Sequence, residues 1–298
     1  MEPQWDDMKV FLAVARESSL SGAGRVLKMD PATVGRRVAR FETALKTSLF
    51  VKSPQGYALS AAGDRLLAHA EAAELAMRAG EEALTGPSDT LSGQIRIGAP
   101  DGCANYILPQ VCSAISQDNP DLDIQIVALP RLINLSRREA DMAVTVSAPT
   151  AGKLLVQKIT DYHLHLAASR YYLRDVHPIE KLEHLRDHKI IGYIPDMIFD
   201  QELDYLSDLG IERVQLASNS VSVQIKMLAE GGALGVVHDF ALPSHRPLRK
   251  ILKDAFSLTR SFYLVRHQGD QRSERLNRFA DALSKGIRAE VERLEGLT

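Results

Sequence analysis

Cysteine occurs twice in the 298 residues, at Cys103 and Cys112, and tryptophan once. Two cysteines at that spacing form no CxxC pair and no ligand cluster, and they exclude a disulfide framework. No apolar run approaches the roughly 20 residues that span a bilayer. The first residues, MEPQWDDMK, are acidic and hold no apolar core, so no signal peptide is expected and the expected location is cytoplasmic. Net charge is −2, which excludes a polycation that coats nucleic acid along its whole length. There is no phosphate loop, no Ser-His-Asp spacing and no defensible pair of catalytic carboxylates, so the sequence supports no enzyme reading and calls for no cofactor. His163 and His165 share one strand face but have no third ligand near them in sequence, and no metal site is expected.

What is present is an uneven distribution of charge. Arg25, Lys28, Arg36, Arg37, Arg40, Lys46 and Lys52 stand against only Asp30 and Glu42 in the same stretch. A local basic patch on a near-neutral chain is a dedicated electrostatic footprint, although Lys46 and Lys52 also fit an ordinary solvated surface. The patch centres on LSGAGRVLKMDPATVGRRVAR, residues 20–40, which reads as two short helices around a tight turn. Asp30 suits an N-cap and Pro31 the first helical position. Val34, Val38, Phe41 and Leu45 make one buried stripe, and Thr33, Arg36, Arg37 and Arg40 point away from it. An apolar back and a cationic front describe a recognition helix in a DNA major groove. The candidate DNA contacts are Ser21, Arg25, Pro31, Ala32, Thr33, Arg36, Arg37, Arg40 and Lys52. Arg36 and Arg37 suit bases or phosphates equally. Thr33 suits a thymine methyl or a phosphate. Ser21 suits a phosphate or the cap of its own helix.

Around this stretch, Trp5 to Glu17 is a first helix, with Trp5, Met8, Phe11, Leu12 and Ala15 inward. Gly22 and Gly24 weaken the second helix and point to close packing. Leu49 to Val51 and Tyr57 to Leu59 flank Ser53-Pro54-Gln55-Gly56, a turn signal, and form a small wing. Ser60 caps a long helix to about Leu84. Its seam, Leu59, Leu66, Ala70, Ala73, Met77, Gly80 and Leu84, alternates three- and four-residue steps and favours self-association over packing on its own domain. Gly86 to Asp89 is a linker.

From Gly93 strands alternate with helices. Expected strands are Ile95–Gly98, Leu122–Ile126, Asp141–Val146, Leu164–Ala167, Ile190–Tyr193, Val214–Ala217, Leu234–Val237 and Phe262–Val265. Expected helices are Pro109–Gln117, Leu132–Arg138, Ile179–Leu185, Gln201–Leu209, Ser220–Glu230 and Glu274–Leu294, with 99–105 as a loop. That order implies parallel sheet wrapped by helices, in two similar units joined by crossing strands with a cleft between. Ligands of such sheets bind beyond the carboxyl ends of strands. The candidate effector contacts are therefore Pro100, Asp101, Gly102, Cys103 and Ala104, then Thr145 and Ser147, Tyr193, Ser218, Asn219, Ser220 and His238. Ser220 opens a helix, a natural anion site. Asp101 disfavours an anionic effector and favours an amine or hydroxyls. Cys103 is far better explained as an inert small residue than as a redox sensor.

The succession Phe11 to Ala15, Ser18 to Leu27, Thr33 to Val38, Phe41-Glu42, Leu45, Leu49-Phe50, Gly56, Leu59-Ser60 and Gly63 resembles the LysR-type transcriptional regulators. Arg96 to Ala99, Leu108-Pro109, Ala140 to Val144 and Gly231 to Val236 extend the resemblance more loosely across the chain. It implies a multidomain protein: a winged helix-turn-helix at 1–60, a dimerising linker helix at 61–89 and an α/β effector domain of the type II periplasmic-binding-protein fold at 90–298. The effector domain would have one subdomain from about 90–160 plus 267–298 and a second from about 161–266. The resemblance also implies a homodimer or homotetramer on an interrupted inverted repeat of double-stranded DNA. A small-molecule effector would shift DNA bend and RNA polymerase contact. The chain departs from the family pattern with Asp30-Pro31 where Ser-Gln is frequent, Gly35 where Ser is usual, and Lys52 where Arg is frequent. A small-molecule binding protein with largely non-specific DNA affinity is the alternative reading.

Overall fold

Apolar residues at helical spacing form three packed helices at the start of the chain: α1 (Trp5–Glu17), α2 (Leu20–Leu27) and α3 (Pro31–Leu45). The computed structural model describes residues 2–298 apart from 54, 55, 85–89, 129–138, 151, 153 and 212. Ser19 caps α2 by accepting from the Gly22 amide at 3.0 Å, and Asp30 caps α3 by accepting from Ala32 at 2.8 Å. A Cβ at Gly24 would lie 2.6 Å from the Met29 carbonyl oxygen, so the turn into α3 closes over bare backbone. Phe11, Val34, Val38, Phe41 and Phe50 are buried together, with the Phe11 ring 5.4 Å from that of Phe50. The wing is the antiparallel pair β1 (Phe50–Ser53) and β2 (Gly56–Leu59). The central turn residues Pro54 and Gln55 lie outside the described residues.

The long helix α4 (Ala61–Leu84) divides the expected seam. Ala70 is fully buried in the N-terminal core, with Leu59 and Leu66 packed against it. Arg16 on α1 donates two hydrogen bonds to Glu74 on α4, at 3.1 and 2.7 Å. The first half of the helix thus packs on its own domain, and Met77, 47% exposed, lies beyond that contact. The expected linker, Gly86 to Asp89, lies outside the described residues.

The remaining chain carries a sheet whose strand order repeats. β3 (Gly93–Ala99), β4 (Leu122–Ala128) and β5 (Met142–Thr145) are parallel in the order β4-β3-β5. β7 (Ile190–Gly192), β8 (Leu216–Ala217) and β9 (Leu234–His238) repeat this as β8-β7-β9. Two long strands, β6 (Leu154–Ser169) and β11 (Ser257–His267), cross between the wings and run antiparallel to each other. β11 also pairs antiparallel with β5, β6 with β9, and the short β10 (Leu248–Lys250) with β6. The expected parallel sheet is therefore correct within each wing and incorrect at the centre, where the sheet is mixed.

Helices α5 (Asp101–Tyr106), α6 (Leu108–Asp118), α7 (Arg170–Arg174), α8 (Val221–Ala229) and α9 (Glu274–Glu295) complete the described helices. The expected loop over 99–105 is instead the end of β3, the cap residue Pro100 and most of α5. The expected helix over Gln201–Leu209 is two separate 3-10 turns, because Asp204 accepts from the Leu206 and Ser207 amides and interrupts the ladder. Ile179–Leu185 is replaced by a 3-10 turn over Leu182–Asp187. The expected helix at Leu132–Arg138 lies outside the described residues. The described chain divides into two compact units, an N-terminal one that ends with α4 and a second that begins at Thr90.

Each unit yields a stability prediction. Asp7 is 1% exposed and holds the Arg40 guanidinium, whose Nε donates at 2.7 Å. Removing one partner strands a buried carboxylate. Arg40→Met is expected to lower the melting temperature of the N-terminal unit, and Asp7→Asn added to it to recover most of the loss. A double-mutant cycle by thermal unfolding checks this. In the second unit burial holds His238 down at about 4 against an ordinary 6.5, so it folds neutral. Between those values the unfolded chain binds the extra proton, and stability falls as pH falls through the window. The loss between pH 7 and 4 is roughly 3 kcal/mol, and it is expected to disappear in His238→Gln when unfolding is followed by denaturant titration.

Candidate DNA-reading face and ligand cleft

The front of α3 begins with Pro31 and Ala32, both exposed, followed by half-exposed Thr33. Arg36 is exposed and donates from Nη2 to Thr33 Oγ1 at 2.8 Å, one turn back along the helix. Arg37 is half-exposed. A Cβ at Gly35 would sit 3.2 Å from Leu20 Cδ1, so the missing hydroxyl coincides with close packing of α3 on α2. Ser21 and Arg25 are exposed on α2, and since Ser19 is the cap, the Ser21 hydroxyl is not used for capping. Lys52 is exposed on the wing, its ammonium 5.7 Å from the Tyr57 ring centroid.

Arg40, expected as a DNA contact, forms a two-point ion pair with Asp7 across the α1–α3 interface, and its side chain stays 40% exposed. The Asp7 hydrogen bond raises its pKa further, so its charge is compensated inside the unit. Asp7 is not among the inward positions that the spacing of α1 marks, and the sequence gives no sign of this pair.

In the second unit the candidate cleft residues come from the ends of several elements. Pro100 is the half-buried N-cap residue of α5, and Gly102, Cys103 and Ala104 are buried on its first turn. Asp101 Oδ2 accepts from Ser222 N at 2.8 Å, Ser222 Oγ at 3.0 Å and Ser220 Oγ at 3.1 Å, all at the start of α8. The start of α8, expected to receive an anion, thus faces the carboxylate of Asp101. Ser218 lies just before, where its Oγ accepts from the Ser220 amide at 3.1 Å, and Asn219 is half-exposed between them. Thr145 Oγ1 donates to the Ser147 carbonyl at 2.6 Å, and the Ser147 hydroxyl donates to Asp200. These two carboxylate contacts run in opposite directions. Asp101 reaches from the first wing to the second, and Asp200 from the second towards the first.

His238 is 5% exposed, and a Cβ at Gly102 would lie 3.8 Å from its ring. Its Nε2 is 3.3 Å from the Tyr205 hydroxyl, and its ring stacks on Tyr162 at 5.6 Å. Tyr193 packs edge-on to Tyr205 at 5.7 Å. Burial pushes the phenols of Tyr162, Tyr193 and Tyr205 well up, so all three are neutral hydrogen-bonding groups. Tyr193 and Tyr205 also border a cavity of about 270 Å³ with Ile198, Ile211, Val214 and Gln224. Sequence reasoning missed Ser222, Asp200 and Tyr205. Ser222 stands two residues beyond the helix-opening Ser220 and was open to the same capping argument. Tyr205 falls in the segment misread as regular helix, and Asp200 stands directly before it.

Cys103 and Cys112 are 1% and 7% exposed. Burial pushes the Cys103 thiol far up and the Cys112 thiol up to about 11. His163 and His165 pair with different carboxylates, Glu295 at 2.8 Å and Asp239 at 2.9 Å. They do not converge on one point.

Residues 5–64 match the bacterial regulatory helix-turn-helix protein family model, lysR family, and residues 88–288 match the LysR substrate binding domain. A probable hydrogen peroxide-inducible genes activator of Mycobacterium avium is 30% identical over 155 residues, 51% of this chain and 50% of that protein. The chain spans about half the length of several curated relatives it matches. Full-length OxyR from Pseudomonas aeruginosa, in a variant form, superposes with a TM-score of 0.70 at 16% identity, covering 96% of this chain and 97% of that one. Full-length LysG from Corynebacterium glutamicum with bound effector Arg gives 0.64 at 18% identity, covering 95% of this chain and 98% of that one. At these identities the structures establish the fold: a winged helix-turn-helix, a long helix and a two-winged α/β domain. The chain belongs to the LysR family, carrying its helix-turn-helix unit and its substrate-binding domain.

Proposed function

We propose that the chain is a sequence-specific DNA-binding transcriptional regulator whose activity is set by a small molecule held between the two α/β wings. The observation that carries the reading is the α3 front. Arg36 and Arg37 project from a helix whose N-terminal residues Pro31, Ala32 and Thr33 are open to a groove. Guanidiniums there reach base edges or phosphates, and Ser21, Arg25 and Lys52 supply flanking phosphate contacts. Ala32 and the Thr33 methyl suit thymine methyls. In this reading 1–60 is the DNA-binding domain, 61–89 the dimerising linker and 90–298 the effector domain. The partners are an interrupted inverted repeat, a second copy or three further copies of the chain, and RNA polymerase. The protein acts in the cytoplasm and turns over no substrate; among the described residues no helix is long and apolar enough to cross a membrane.

The effector contacts we assign are Pro100, Asp101, Gly102, Ala104, Thr145, Ser147, Tyr193, Ser218, Asn219, Ser220 and His238. Asp101, Ser220 and Ser147 already hydrogen-bond within the chain, so an effector works by changing those contacts. Cys103 adds shape rather than chemistry. A thiol so buried and so weakly acidic presents almost no thiolate to an oxidant. Although curated relatives include hydrogen peroxide-inducible activators, the cysteines of this chain do not suit peroxide sensing.

One observation favours the alternative, a ligand-binding protein with weak, non-specific DNA affinity: Arg40 is withdrawn into an ion pair, leaving fewer cations on the reading face. The two readings separate on binding to the chain's own upstream DNA. A regulator prefers it to random DNA by orders of magnitude, whereas the alternative gives only salt-dependent binding of both. Arg36→Ala and Arg37→Ala are each expected to cost about 1–3 kcal/mol of specific binding if they read bases. If either only touches phosphate, the loss is uniform across sequences and the salt slope drops by about 1. Fluorescence anisotropy at several salt concentrations measures both. Neither thiol is expected to change mass after millimolar peroxide in the native protein, and both are expected to react with a thiol reagent once the chain is unfolded.

A further inference from the structure

The ligand cleft proposed above carries a feature that defines its chemistry. We propose that Asp101 is a tethered anion filling the carboxylate subsite of the cleft, so that the native chain excludes carboxylate ligands there and takes an effector that presents a neutral or cationic hydrogen-bond donor. The proposal rests on the effector-binding reading and goes beyond it by naming the ligand class.

One Asp101 oxygen collects the Ser222 amide at 2.8 Å, the Ser222 hydroxyl at 3.0 Å and the Ser220 hydroxyl at 3.1 Å. The amide opens α8, a helix of nine residues, whose dipole favours an anion at this end. The other oxygen accepts from Asn105 Nδ2 at 3.2 Å. A carboxylate is therefore already seated on the donors a carboxylate ligand needs. A second would meet a like charge at hydrogen-bonding range, a repulsion that water screens poorly at a half-buried site.

His238 provides an independent pointer to a ligand. The side chain is 95% buried by its 5% exposure, and its Nδ1 has no partner among the described residues. Its ring stands 3.8 Å from where a Cβ on Gly102 would be, next to Asp101 in the chain. Tyr162, fully buried and stacked on this ring, likewise has a hydroxyl without a partner among the described residues. Orphaned buried polar atoms are rare, and in native structures they pair with ordered water, an ion or a bound polar group. Both groups here are uncharged, and with Asp101 they make a neutral-to-negative lining.

The test is thermal unfolding of the full chain in sodium acetate and sodium formate, against sodium chloride at equal ionic strength. Asp101→Ala is expected to melt about 4–8 °C below the native chain, and acetate or formate is expected to restore at least half of that loss. Native protein is expected to respond to acetate and chloride alike. Asp101→Asn keeps the slot filled without charge, and its melting temperature is expected to fall without carboxylate rescue. Ser222→Ala added to Asp101→Ala is expected to abolish the rescue. If Asp101→Ala does not fold, Asp101→Ser is read in the same way. An unshifted Asp101→Ala, a rescue by chloride equal to that by acetate, or an acetate-specific shift of the native chain overturns the proposal. No DNA is present in this experiment, so failure of DNA binding would sink the regulator reading and leave this result standing.

Discussion

The antiparallel pairing of β6 with β11 is the constraint on which the effector unit depends. Each wing is a three-stranded parallel sheet with the same internal strand order, and such a sheet is too small to bury itself on both faces. The two long strands give both wings a common spine, with β5 joined to β11 and β9 joined to β6. The pairing continues from Ser257–His165 to His267–Leu154, with a register shift between Phe262 and Tyr263. At that irregularity the Tyr162 and Phe262 rings stack at 4.2 Å. Extra twist at a bulge lets one continuous ladder serve two wings. It also brings Tyr162 from the spine against His238 at the end of β9.

In the N-terminal unit the organising contact is electrostatic. Asp7 and Arg40 tie α1 to α3, and Arg16 and Glu74 tie α1 to α4. Both pairs have at least one carboxylate shielded from water, so each geometry is specified more sharply than an exposed pair would be. The orientation of α3 is thereby set from behind, by α1, while its cationic front stays open. Glu42 assists at the other end of α3, where its carboxylate accepts from the Leu49 and Phe50 amides at 2.7 and 3.2 Å and anchors the wing.

Much of this was legible in the sequence because local rules decided it. Asp30 followed by Pro31, the stripe Val34, Val38 and Phe41, and the alternation in Leu122, Ile124 and Ile126 each carry their own period or cap. The extent of β6 was not legible, because Lys158, Asp161, His163 and His165 break its apolar pattern. Lys158 pairs with Asp161 three residues on, whereas the partners of His163 and His165, Glu295 on α9 and Asp239 after β9, are far away in sequence. The 3-10 turns between residues 201 and 209 were misread for a related reason. Apolar spacing there resembles a helix, but the Asp204 side chain takes amides that a helix would bond to its own backbone. In the cleft the residue types at the strand ends were legible, whereas their pairing was not. Ser220 announces an anion site, and only the fold reveals that the anion is Asp101.

Arg40 and Asp101 share a physical logic. Each looked from sequence like a charge offered to a partner, and in each case the fold supplies the counterpart from a remote segment. Satisfying Arg40 compensates one cation of α3, and in the proposed reading DNA affinity rests chiefly on Arg36, Arg37 and the flanking phosphate contacts. Satisfying Asp101 directs its carboxylate at the start of α8 and links the two wings of the second unit. A charge neutralised within the chain contributes to fixing a geometry, and it is no longer available to attract a ligand without first breaking that contact. Under the proposal above, the effector matches the uncharged histidine and phenols around His238, or offers Asp101 a better donor than Ser220 and Ser222 provide.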